Sequence, residues 1–154
     1  MKRALIVLAA LAVVALGVVI ARTPPSADQN AVEYRQALMF VIDGQMQALS
    51  SMHAGRMPYD AALVREHAAD LTTLAGMIPE AFSRDTRAAR RLDTAALAYV
   101  WTDQAHFVQS ARRLQRDAEA LNGAVQDGDE AQVQSAIGAL SGECVQCHRQ
   151  YRGN

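Results

Sequence analysis

Residues 129–151 read DEAQVQSAIGALSGECVQCHRQY, and this stretch decides the architecture. Asp129 is a helix N-cap with Gln132 three residues on, a capping-box-like pair, and Gly128 just before it terminates an earlier helix. Val133, Ile137, Leu140, Cys144, Cys147 and Tyr151 then recur at intervals of four, three, four, three and four, the period of one helical face. On a continuous helix Cys144 and Cys147 lie one turn apart on that face. His148 follows one turn beyond Cys144.

The segment Cys144-Val145-Gln146-Cys147-His148 carries specific chemistry. C-x-x-C-H is the attachment signature of a c-type haem: two thiols add across the vinyl groups and the adjacent histidine becomes an axial iron ligand. The chain has 2 cysteines, both within the motif. A zinc ribbon needs a second ligand pair. A thioredoxin-type C-x-x-C belongs to a βαβ setting, which an alanine-rich helical chain lacks. A disulfide inside one helical turn would be strained. The expected cofactor is therefore one haem c, attached covalently through two thioethers, with His148 as a metal ligand.

The N-terminus agrees on the compartment. Lys2 and Arg3 precede an uncharged apolar run from Ala4 to Ala21. The run is longer than a usual secretory h-region and near the lower limit for a spanning helix. Val19-Ile20-Ala21 offers a tolerable cleavage site. Residues 1–21 are thus expected to be a signal peptide or an N-terminal anchor in the inner membrane, and both place the remainder in the periplasm. Residues 22–30, with Pro24-Pro25-Ser26, read as a linker, and residues 31–154 as one haem-bearing domain large enough for its own core. Lys2 and Arg3 aside, 13 arginines face 16 acidic residues, a net charge of −3 that argues against a nucleic-acid partner.

Three further helices are legible. Val32, Arg35, Met39, Ile42, Met46, Leu49 and His53 form one face of a helix from about Ser26 to Ala54. Asp60 caps a second, whose stripe is Leu63, His67, Leu71, Leu74 and Ile78, stopped by Pro79. Ser83 to Arg91 is a polar, arginine-rich connection. A third helix, from Thr94 or Thr102 to Gln126, has Phe107, Ala111, Leu114, Ala118, Leu121 and Val125 on its face. Short connections within the first and last pairs predict an all-α, antiparallel up-down-up-down four-helix bundle.

The chain from about Val32 to Arg152 resembles the class II c-type cytochromes, the cytochrome c′ and cytochrome c-556 group. The matching segments are Tyr34-Arg35-Gln36-Ala37-Leu38-Met39, Pro58-Tyr59-Asp60-Ala61-Ala62, Trp101-Thr102-Asp103 with Phe107, and Cys144 to Arg152. The resemblance implies Cys144 and Cys147 as thioether cysteines, His148 as the proximal ligand, and Arg35 and Gln36 as contacts to the haem and its propionates. It implies a homodimer through the first two helices, and it puts Met39 at the distal position over the iron. Arg35 also stands out unaided: it interrupts an apolar stripe, where an unpaired guanidinium is costly and a haem carboxylate would pair it. The bland alternative is a snorkelling arginine. Arg152 resembles the family arginine near the proximal face, or else is a solvated arginine at a helix C-terminus. Met46, Met52, His53, His67 and His106 read as core filler or hydrogen-bonded rim residues.

Two functions follow as expectations. The first is an exported one-electron carrier with His148/Met39 iron, serving periplasmic redox proteins. The alternative is a five-coordinate protein that binds nitric oxide or another small gas. No acid–base pair beside a substrate cleft suggests an enzyme.

Overall fold

The computed structural model describes residues 25–89 and 91–153. The expected signal or anchor segment lies outside the described residues, and so do residues 22–24 of the linker. The helices are α1 (Ala27–His53), α2 (Ala61–Ala81), α3 (Tyr99–Thr102), α4 (Gln104–Asp127) and α5 (Glu130–Tyr151). α1 packs on α2 and on α5, α2 packs on α4, and α4 packs on α5. The four long helices therefore close a ring, the antiparallel four-helix bundle that the periodicity predicts. Among the described residues no helix is long and apolar enough to cross a membrane.

Each boundary has a local cause. Ser26 caps α1 by accepting from the Gln29 amide, so residues 27–30, read as linker, are already helical. Asp60 accepts from the Ala62 and Leu63 amides at the start of α2. Asp129 does the same for Ala131 and Gln132 at the start of α5. Gly128 ends α4 in the left-handed region at φ 75°, where a side chain would be strained. Pro79 does not stop α2, which runs on to Ala81. A proline removes only the amide that would bond the carbonyl four residues earlier, and one turn from a helix end that loss is tolerable.

The core is built from the stripes, with a phase correction in each of α1 and α2. The buried positions of α1 are Val32, Arg35, Leu38, Ile42, Met46, Leu49 and Met52, so Leu38 and Met52 replace Met39 and His53. In α2, Val64 and Ala68 take the places expected for Leu63 and His67. Leu49, Leu121, Ile137 and Leu140 are almost wholly removed from water. Each contributes about 1.5–3 kcal/mol of burial free energy.

The connection from α2 to α4 is more than a linker. It returns to the far end of α5, where the Leu97 amide donates to the Tyr151 carbonyl at 2.9 Å and the Gly153 amide to the Ala95 carbonyl at 2.8 Å. The single isolated bridge among the described residues pairs Ala96 with Arg152. The helix expected from Thr94 or Thr102 resolves into short α3 and then α4, broken at Asp103.

Candidate haem site

α5 carries Cys144, Cys147 and His148 on consecutive turns, as their spacing requires. Both thiols are free and half-buried. Burial, then the neighbouring Cys147, pushes the Cys144 thiol up to about 11. Burial, then Glu143, raises Cys147 as well. Both thiols are therefore protonated at neutral pH, unlike the low-pKa thiolate of a dithiol oxidoreductase. Among the described residues no cluster of three or more His, Cys, Asp or Glu side chains could hold a metal ion. His148 is on the exposed side of α5. Partial burial and then the Arg152 guanidinium favour its neutral imidazole, the form that binds a metal, against the opposing carboxylate of Asp43 on α1.

Beside Cys144 runs an apolar seam to which all four long helices contribute, among them Met46, Leu71, Ala118 and Leu140. It is too narrow to hold water. Met39 does not line it, but packs half-buried against the core one turn before Asp43. Met46 does line it, as part of the core cluster.

Arg35 is 2% exposed. Its Nη2 donates to Thr86 Oγ1 at 2.5 Å. Its guanidinium carbon lies 5.1 Å from the Trp101 ring centre and 5.5 Å from that of Phe82. Nε and Nη1 are buried without a partner, and burial lowers the pKa of the group. Two unpaired donors on a buried cation call for an acidic acceptor. That demand, the two thiols and the neutral imidazole together fit a haem, whose carboxylates, vinyl groups and iron need these three kinds of partner. Gln36, expected beside the haem, is exposed instead and donates to the Asp93 carbonyl at 2.9 Å. Sequence reasoning did not anticipate Thr86, which sits in a polar connection with no periodicity to mark it. Phe82 and the lone Trp101 were legible as aromatics, but not as the two faces of a guanidinium clamp. The other histidines have side-chain partners: His53 meets Gln134 at 2.8 Å, His106 meets Asp103 at 2.6 Å, and His67 meets Gln45.

A four-helix bundle with a C-terminal C-x-x-C-H defines a class II c-type cytochrome. The cytochrome C′ family profile matches residues 30–152, and the chain belongs to that family. It is 31% identical over 123 residues to a cytochrome c′ from Rubrivivax gelatinosus, spanning 80% of this chain and 94% of that one. It is also 31% identical to a cytochrome c-556 from Agrobacterium tumefaciens, over 79% of this chain and 95% of the relative. A nitric oxide complex of a variant cytochrome c prime from Alcaligenes xylosoxidans superposes with a TM-score of 0.74 at 27% identity, covering 85% of this chain and 99% of that one. The protein is thus a monohaem cytochrome of the periplasm, carrying covalently bound haem c.

Proposed function

We propose that Cys144 and Cys147 hold the haem, that His148 ligates its iron from the exposed side, and that the opposite position takes up nitric oxide or another small uncharged gas. The bound haem supplies an iron that cycles between ferric and ferrous and accepts one small ligand. The protein supplies the rest. Arg35 offers Nε and Nη1 to a haem carboxylate while Thr86, Phe82 and Trp101 fix its orientation. Asp43 and Arg152 bias the His148 imidazole from opposite directions.

The observation that carries this reading is the lining of the seam at Cys144: apart from that thiol it is aliphatic or thioether, which suits a small uncharged ligand and disfavours a charged one. Met39 acts as a plug over the distal side. The nitric oxide complex of the Alcaligenes protein supports this reading. The second reading, a six-coordinate His148/Met39 electron carrier, is favoured by the c-556 relative. It is also favoured by the place of Met39 one turn before Asp43, the α1 carboxylate that acts on His148. Electrons would reach the iron from periplasmic redox proteins in either case. Phe40, 79% exposed, and Val41 lie on the outer side of α1 and suit a homodimer contact through α1 and α2.

The optical spectrum of the purified holoprotein tests the assignment. High-spin ferric and ferrous iron, with a nitrosyl spectrum on adding nitric oxide, is the expected result. Low-spin iron with a sulfur-to-iron band at the red edge of the ferric spectrum would establish the carrier instead.

A further inference from the structure

A polar cleft of about 280 Å³ lies where the start of α4 meets the end of α5, lined by Asp103, His106, Ser110, Arg113, Gln150 and Tyr151. Tyr151 is 4% exposed, and its hydroxyl makes no well-formed hydrogen bond although the Ser110 hydroxyl lies beside it. Buried hydroxyls are ordinarily paired, and an unpaired one is destabilising. Its neighbours are already engaged. Arg113 donates from Nη2 to Ser110 Oγ at 2.8 Å and from Nε to Glu143 at 3.0 Å. His106 Nδ1 lies 2.6 Å from Asp103 Oδ1. A proton on that nitrogen leaves His106 Nε2 as a free acceptor on the same cleft.

The ring of Tyr151 is placed for electron transfer. It stands one turn beyond Cys147, a separation that brings side-chain origins to about 5–6 Å. It meets Phe107 edge-on at 5.1 Å, and Phe107 meets Phe82 at 5.0 Å. Of the 4 tyrosines, this is the one in the core, while Tyr34 and Tyr99 are 40% and 61% exposed.

We propose that Tyr151 is a redox-active residue, which gives one electron to the haem when hydrogen peroxide oxidises the ferrous protein, with His106 receiving its proton. The role rests on the haem attachment assigned above. Peroxide is reduced to two waters as its O–O bond breaks, a step that needs two electrons and two protons. One electron comes from ferrous iron, which ends ferric. The other comes from Tyr151, whose O–H bond breaks. The phenolic proton crosses the cleft to His106 Nε2, both protons taken up by the peroxide come from solvent, and a neutral phenoxyl radical remains.

The test is to mix ferrous holoprotein with one equivalent of hydrogen peroxide, freeze within milliseconds and record the electron paramagnetic resonance spectrum. A tyrosyl radical is expected beside ferric haem. Tyr151→Phe keeps the ring on Phe107, removes only the hydroxyl, and should lose the tyrosyl signal while its thermal midpoint holds or rises. His106→Gln should lower the radical yield several-fold. An undiminished tyrosyl signal in Tyr151→Phe, or no protein radical in the parent protein, overturns the role of Tyr151. A haemochrome assay of the same sample separates the two failures. Absence of covalent haem overturns the functional assignment and this role with it, whereas covalent haem without a radical overturns this role alone.

Discussion

Arg35 and Thr86 stand 51 residues apart in sequence and meet at 2.5 Å inside the bundle. The bond ties the middle of a face of α1 to the connection between α2 and α4, and leaves two guanidinium nitrogens without a partner. A cation held this way is aimed rather than merely accommodated, because Phe82 and Trp101 cover its faces and Thr86 fixes one edge.

Arg35→Leu should lower the reduction potential of the haem. A cation beside haem carboxylates disfavours the extra positive charge of ferric iron, so removing it stabilises the oxidised form. A loss of about 1.4 kcal/mol of that preference corresponds to about 59 mV for one electron. Redox titration of the holoprotein reads the shift, and an unchanged or raised potential would place the unpaired nitrogens away from the haem.

Met39→Leu should leave both oxidation states high-spin and change mainly the rate of nitric oxide binding, since leucine alters the shape of a plug without removing a ligand. Stopped-flow mixing with nitric oxide measures the rate. A parent protein that is low-spin and becomes high-spin on this substitution identifies Met39 as the sixth ligand. Met46→Leu is the control, because Met46 lies in the seam and its loss should leave the spin state unaltered.

The haem-free protein should have unreactive thiols. With Cys144 raised to about 11, alkylation at pH 8 should be slow and should accelerate as pH rises toward that value. The folded pKa lies above the ordinary thiol value, so the neutral thiol stabilises the fold at pH below that ordinary value. That contribution is lost as pH rises through the folded pKa. Denaturant titrations of the apoprotein across pH 8 to pH 11 should show declining stability. Fast alkylation at neutral pH would contradict the burial of Cys144.

Phe40→Glu should convert a dimer to a monomer. The side chain is 79% exposed and lies outside the core, so the substitution should leave the unfolding free energy of the isolated bundle within about 0.5 kcal/mol of its parent. Sedimentation at micromolar concentration reads the change, and a parent protein that is already monomeric would refute the contact.

The bundle was legible because burial writes a period of 3.6 into each long helix, and because Asp60, Gly128 and Asp129 are chemically explicit boundaries. The haem motif was legible because its three reacting side chains are adjacent in sequence. The phase of α1 was not, since Leu38 and Met39 are neighbours of similar hydropathy and packing against α2 and α5 decides which of them turns inward. The environment of Arg35 was half legible: a charge on an apolar stripe demands a partner, but Thr86 and Phe82 arrive from a connection whose path only tertiary contacts determine. The cleft at Tyr151 was hidden for the same reason, as Asp103, His106 and Ser110 come from a different helix.

The adjacency of α1 and α5, with the stitching of Ala95 and Leu97 to the last residues of α5, has a consequence for the order in which the protein can be made. α1 finds one neighbour, α2, next in the chain and the other, α5, at the far end of the domain, so the ring cannot close until α5 has been made. The residues that carry the thiols are thus among the last to be locked into the bundle.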